Sequence, residues 1–198
     1  YVMNTIRKEV FFSLLLLVSA GNVEAAENEM ENWYTYWGLG ISRVTWPDED
    51  LNAAVKLLAA LPGVSRTQLS LDLLGFYKPI NPNTMVGFIA NGAADRLEIS
   101  EEGDLQVNLT TYAASAQYFP EKIGQGIFGR ADIGLALGNV QVDGESETSD
   151  PGFGLLVGVG YAHPIMDGTR LALNVNYAIR QIEGETWKTL GISLGGLF

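Results

Sequence analysis

From residue 33 onward, apolar and polar positions alternate with a period of two, the signature of strands with unlike faces. Eight segments carry it: WYTYWGLGISRV (33–44), TQLSLDLLGFY (67–77), TMVGFIAN (84–91), LQVNLTTYAASAQYF (105–119), KIGQGIFGRADIGLAL (122–137), GFGLLVGVGYAH (152–163), TRLALNVNYAIR (169–180) and TWKTLGISLGGLF (186–198). Most exceed the usual globular strand of about 5–6 residues and match the roughly 9–11 needed to cross a bilayer at a tilt. In the seventh, Leu171, Leu173, Val175, Tyr177 and Ile179 oppose Arg170, Ala172, Asn174, Asn176, Ala178 and Arg180. In the fifth, Ile127, Ile133 and Leu135 oppose Phe128, Arg130 and Asp132. The second sets Leu69, Leu71, Leu73 and Tyr77 against Gln68, Ser70, Asp72 and Leu74. The third is ambiguous, and the fourth reads as though its outer face shifts between its halves at a bulge.

The polar face is crowded with glycine and alanine, which suits the inside of a narrow barrel. The apolar face carries large residues with aromatics near strand ends, Trp33, Tyr77, Tyr161 and Phe198, as in a membrane barrel's aromatic girdle. The expectation is therefore apolar outside. A soluble barrel enclosing an apolar ligand is the inverse arrangement. Connections at about 45–66, 92–104, 138–151 and 181–185 are expected at one, extracellular end. Shorter turns at 78–83, Pro120–Glu121 and 164–168 are expected at the periplasmic end, giving the loop alternation of such barrels. The long connections hold most of the acid. Within the first, Pro47 and Asp48 precede Leu51, Ala54, Val55, Leu58 and Leu61 at helical spacing, which predicts a short amphipathic helix over 48–60 capping the extracellular mouth, as a cover for the rim rather than, in the alternative, a binding element.

The first 25 residues differ from the rest. Arg7 and Lys8 precede an apolar run from Val10 to Val18, followed by small residues with Val23 and Ala25 at the positions a signal peptidase prefers. The expectation is a secretory signal over 1–25 and a barrel domain over 26–198. Arg7 and Lys8 balance Glu9 and Glu24, so removing the leader keeps the formal charge of −11. That charge excludes nucleic acid as an expected partner, since phosphate binding needs a basic face. There is no cysteine and one histidine, so neither a disulfide framework nor a zinc or copper site is expected.

The final strand sets Leu190, Ile192, Leu194, Gly196 and Phe198 on one face against Thr189, Gly191, Ser193, Gly195 and Leu197. This pattern resembles the C-terminal signal of outer-membrane β-barrels. With the leader and the loop alternation, the chain is similar to the small eight-stranded barrels of the OmpA, OmpX and opacity-protein type. That resemblance implies an all-β, up-and-down antiparallel barrel in a Gram-negative outer membrane, with the membrane lipid and the assembly machinery, which reads Leu190 to Phe198, as partners. It leaves extracellular ligands or surfaces as partners for the acidic loops.

The candidate chemistry lies on the inward face: Asp72, Arg130, Asp132, Asn174, Asn176 and Arg180. Acids and bases enclosed together must pair, because an isolated buried charge is costly. These residues are expected to form a hydrogen-bonded plug, with a gated conduit for small or apolar solutes as the alternative. An acyl-transfer enzyme needs a serine beside a histidine base. The single histidine, His163, sits at a predicted turn, and Ser193 on the last strand is expected to face the lumen. No catalytic residues, cofactor or metal ligands are expected. DGESETSD (143–150) lacks the spacing of a calcium loop. The expected role is structural or surface-interacting, without catalysis.

Overall fold

The computed structural model describes residues 33–99 and 103–198. The expected signal segment, 1–25, lies outside the described residues, as do Glu101 and Glu102. The described chain forms β1 (Tyr34–Thr45), α1 (Glu49–Leu58), β2 (Val64–Asn81), β3 (Thr84–Ile99), β4 (Gly103–Tyr118), β5 (Gly126–Val142), β6 (Glu145–Thr148), β7 (Gly152–Met166), β8 (Thr169–Ile182) and β9 (Glu185–Leu197). β1 to β5 pair antiparallel in chain order, β5 pairs on with β7, β7 with β8 and β8 with β9, and β1 pairs with both β2 and β9. Eight strands thus close into an up-and-down barrel with no free edge across its middle. β6 is a four-residue addition that pairs only with the far end of β5. No helix among the described residues is long and apolar enough to cross a membrane.

The apolar face is outside. Leu39, Ile41, Leu73, Phe88, Ile133, Val157, Val175 and Ile192 are exposed, while Asp72, Arg130, Asn174 and Arg180 are buried in the lumen. On β8 the outward set runs from Leu171 to Ile179, nine residues, which at the usual tilt of membrane strands fits an apolar band about 25 Å tall. The inverse, ligand-filled barrel is excluded by this facing.

Tyr77 corrects one expectation. It is not a girdle aromatic but is fully buried in the lumen, at 0% exposure. The cause is a bulge in β2. Leu74 adopts a positive φ of 48°, and the ladder shifts by one residue on both sides, against β1 between Tyr36 and Gly38 and against β3 between Leu73 and Phe76. The extra residue puts Leu73 and Leu74 both outside, and Gly75 and Tyr77 inside. β4, where a bulge was expected, is regular against β3 and β5 along its length.

What changes along β3 and β4 is the environment. Their upper halves, at the α1 end, extend beyond the apolar band. There the inward residues are apolar (Leu97, Val107, Leu109) and pack with Val44, Trp46, Val55, Ala136 and Ile182. The outward ones, Arg96, Glu98, Gln106 and Asn108, are exposed or half-buried and polar. The strand keeps its parity while the chemistry of its two faces exchanges, as in a soluble barrel stacked on a membrane one.

This extension also corrects the loop lengths. β3 and β4 are separated only by residues 100–102, and β5 and β6 by Asp143–Gly144, both at positive φ as a two-residue hairpin requires. Glu183–Gly184 joins β8 to β9 in the same way. At the lower end the connection from β4 to β5 spans 119–125 and is the longer kind. Asn83 Nδ2 ties it down by donating to the carbonyls of Phe119 and Glu121, each at 2.8 Å. Long and short connections therefore do not alternate as expected.

The helix forms within its predicted span. Asp48 caps it by accepting from Leu51 N at 2.7 Å. Its seating differs: Val55 is the helical residue buried in the upper core, whereas Leu51, Leu58 and Leu61 of the expected inward face are exposed.

The barrel closes where β1 meets β9. Gly40 faces inward there, and an added Cβ would fall on the Ile192 carbonyl oxygen and the Ser193 backbone. Neither can yield without parting the strands. Gly40→Ala is expected to destabilise the barrel by about 1–3 kcal/mol as an overpacked position, read as a lower urea midpoint of the protein in micelles. At the lower end of this seam Phe198 N donates to Thr35 O and Thr35 N to Phe198 O, both at 2.9 Å. The Phe198 ring covers Gly196 and stacks on Trp37, with centroids 6.2 Å apart.

Candidate functional site

The six polar residues expected inside all lie in the lumen, carried by β2, β5 and β8 because period-two alternation turns every second side chain inward. Three of them form one ion cluster. Arg130, 4% exposed, donates through Nη2 to Asp72 Oδ1 at 2.9 Å and to Asp132 Oδ2 at 2.6 Å, and through Nε to Asp132 Oδ1 at 3.0 Å. Its guanidinium carbon stands 5.8 Å from the centre of the Tyr36 ring. Arg180 is separate: it makes no ion pair with a described residue and donates to neutral oxygens, Thr111 Oγ1 at 2.8 Å, Asn91 Oδ1 at 2.9 Å and Thr189 Oγ1 at 3.0 Å. Asn91 links the two groups, since its Nδ2 donates to Asp132 Oδ2 at 2.8 Å. Two acids and two bases make the layer formally neutral, the condition under which charges can be enclosed at tolerable cost.

Asn174 and Asn176 are inward but outside the ion cluster. Asn174 Nδ2 donates to Tyr36 OH at 2.6 Å. Asn176 borders a space of about 10 Å³ with Ser70, Asp72, Asn91 and Arg180, room for about one water molecule.

Several members of this layer escaped the sequence reading. Asn91, Thr111 and Ser115 sit on β3 and β4, the two strands with an unclear pattern, and Tyr77 sits beyond the bulge. Ser115 Oγ donates to Asp132 Oδ1 at 2.6 Å and lies 2.9 Å from Tyr77 OH. A second buried carboxylate is also new. Asp95, expected in an acidic loop, is 0% exposed and accepts from Trp46 Nε1 at 2.9 Å and from Arg66 Nη2 at 2.6 Å. Its signal was in the sequence: it lies an even number of residues from Asn91, on the same face of one strand.

Apolar layers close the lumen on both sides. Below the polar layer Tyr34, Met85, Ile89, Ile123 and Leu197 pack around Phe119 and Phe128, whose rings are 4.8 Å apart. Above it lies the cluster of Val44, Trp46, Val55, Leu97 and Val107.

The arrangement has no catalytic constellation at the residues weighed for one. His163 is exposed on the outer face of β7, whereas Ser193 is buried in the lumen on β9, so the sheet separates them. Among the described residues no group of three His, Cys, Asp or Glu side chains converges on a point that could hold a metal ion.

A closed eight-stranded antiparallel barrel, apolar outside and polar within, is the architecture of the small outer-membrane barrels, and this chain has that fold. No family model matches the sequence, and no curated protein matches it. Two of the solved structures it resembles show the likeness. Neisserial surface protein A is 14% identical with a TM-score of 0.54, the match covering 84% of this chain and 96% of that one. Ail, the attachment invasion locus protein of Yersinia pestis, in complex with the heparin analogue sucrose octasulfate, is 17% identical with a TM-score of 0.51, covering 85% of this chain and all (100%) of that one. At these identities the likeness is one of fold.

Proposed function

We propose that this chain is an outer-membrane barrel of a Gram-negative bacterium with a structural or surface-interaction role and no catalytic activity. The observation that carries the reading is a continuous apolar band outside a lumen filled with paired charges. Only a lipid surround rewards that facing, because in water the same band would be a large exposed apolar surface. On this reading residues 1–25 are the export signal and 26–198 the inserted domain. Leu190, Ile192, Leu194, Gly196 and Phe198 are the strand read by the assembly machinery. The α1 end faces outward from the cell, where its acids meet solvent.

Charge sets this protein apart from Ail in ligand preference. Ail is seen with a polysulfated sugar, whereas this chain carries −11 and an acidic α1 end, so a polyanion is not the expected partner. A conduit role is disfavoured by the apolar layers above and below the ion cluster.

The test is heat-modifiability on SDS gels of outer-membrane fractions, with and without Phe198. A folded barrel migrates differently before and after boiling. Deleting Phe198 is expected to reduce the shifted fraction strongly, because two seam hydrogen bonds and the stack on Trp37 go with it. A soluble protein that shows no shift, or a shift indifferent to the deletion, would overturn the reading.

A further inference from the structure

The α1 end carries apolar surface that the fold does not use. Leu57, at 69% exposure, stands with Leu51, Leu58 and Leu61 outside the upper core, which takes only Val55 from the helix. Val140 and Val142 are also exposed, although they lie on the inward face of β5, opposite Val107 and Leu105 of β4. The same end of the barrel is acidic. Glu49 and Asp50 open α1, Asp143, Glu145 and Glu147 surround the β5–β6 hairpin, and Glu183 stands at the β8–β9 turn. None of the six forms an ion pair with a described residue.

We propose that α1 and the acidic hairpins form a docking surface for a cationic amphipathic helix, a partner whose apolar stripe meets the leucines and whose lysines or arginines meet the carboxylates. The inference rests on the reading of this end as solvent-facing, and it names the partner class that reading leaves open. Leu51, Leu57 and Leu58 lie on α1 and Leu61 just past its end, so exposed apolar side chains run the length of the helix and can anchor an apolar stripe laid along it. Charge selects among the occupants. A helix that rests on a bilayer needs basic flanks to meet anionic headgroups, and α1 offers two acids against Lys56 alone. A second copy would bring the same acids face to face, which like-charge repulsion opposes. A basic partner meets no such penalty, and its association is expected to weaken with salt.

The experiment uses the protein in phosphatidylcholine nanodiscs and a labelled synthetic amphipathic helix of leucine and lysine, with empty discs and a leucine–glutamate helix as comparisons. The loaded discs are expected to bind the basic helix well above empty discs, to ignore the acidic one, and to release the basic one as salt rises. Leu57→Ser with Leu61→Ser, both exposed positions, is expected to weaken binding by about tenfold or more, as loss of apolar anchors does, with the heat shift of the barrel unchanged. Binding equal to that of empty discs, equal binding of the acidic helix, or unchanged affinity in the double variant would each overturn the proposal. Absence of any heat shift in the discs would instead overturn the inserted-barrel reading beneath it.

Discussion

Arg130→Ala is expected to cost about 3–5 kcal/mol of stability, the scale for breaking a buried ion cluster by removing one partner. Arg130 is the cation that contacts both Asp72 and Asp132, and without it Asp132 keeps only the neutral donors Asn91 and Ser115 while Asp72 loses its one side-chain donor among the described residues. The loss is read as a fall in the urea midpoint of the protein folded in micelles. Replacing one acid with its base, Asp72→Asn with Arg130→Met, is expected to recover most of that loss, because Asp132 and Arg180 then leave the layer formally neutral. Equal stability of Arg130→Ala and the native chain would show that water reaches the cluster and screens it, which the apolar layers formed around Phe128 and around Trp46 argue against. The same variant tests the conduit reading. With the lumen closed above and below, planar-bilayer current is expected to stay at zero in both proteins.

Deleting Leu74 is expected to leave the barrel able to fold, although Leu74 sits in the middle of a bilayer-crossing strand. Register explains why. β2 carries one extra residue relative to both neighbours, and it is spent where Leu73 and Leu74 lie side by side on the outer face. Removing it restores plain alternation, with Leu73 outside, Gly75 inside, Phe76 outside and Tyr77 inside, and keeps every other facing. It also removes a left-handed backbone conformation that costs a non-glycine residue about 1–2 kcal/mol. Deleting Val175 from β8 is the contrast. That strand is regular against β9 throughout and against β7 over Phe153–Pro164, so the deletion must turn one half of it over. Turning the upper half moves Arg180 to the outer face at the upper rim of the apolar band, at up to about 1 kcal/mol, strips its three hydrogen bonds, and drives Tyr177 and Ile179 into the packed lumen. The heat-shifted fraction after refolding is expected to stay near native without Leu74 and to vanish without Val175.

Where the strands β5 and β8 are concerned, the sequence was enough. Their alternation is unbroken across the apolar band, so Arg130, Asp132, Asn174, Asn176 and Arg180 could be placed inside from parity alone, as could Asp72 before the bulge. The apolar-out facing was legible too, because large residues crowd one face and glycine and alanine the other. The helix was legible from spacing and its Asp48 cap. The Asp143–Gly144 pair was a hairpin signal in plain view, masked by the acids around it that read as a loop.

Tertiary structure decided the remainder, for one physical reason. Alternation records that two faces differ but not what each face meets, and what each face meets changes along the barrel axis. Along β3 and β4 the outside passes from lipid to water and the inside from polar layer to apolar cap, so the sequence signal inverts while the backbone stays regular. That inversion hid Asn91, Asp95, Thr111 and Ser115. Register was equally hidden, because the placement of one extra residue at Leu74 depends on how β1 and β3 pair with β2, and it reversed the side on which Tyr77 lies. Parity within a strand is local and written in the chain. Pairing between strands, and the medium at each height, are set only when the barrel closes.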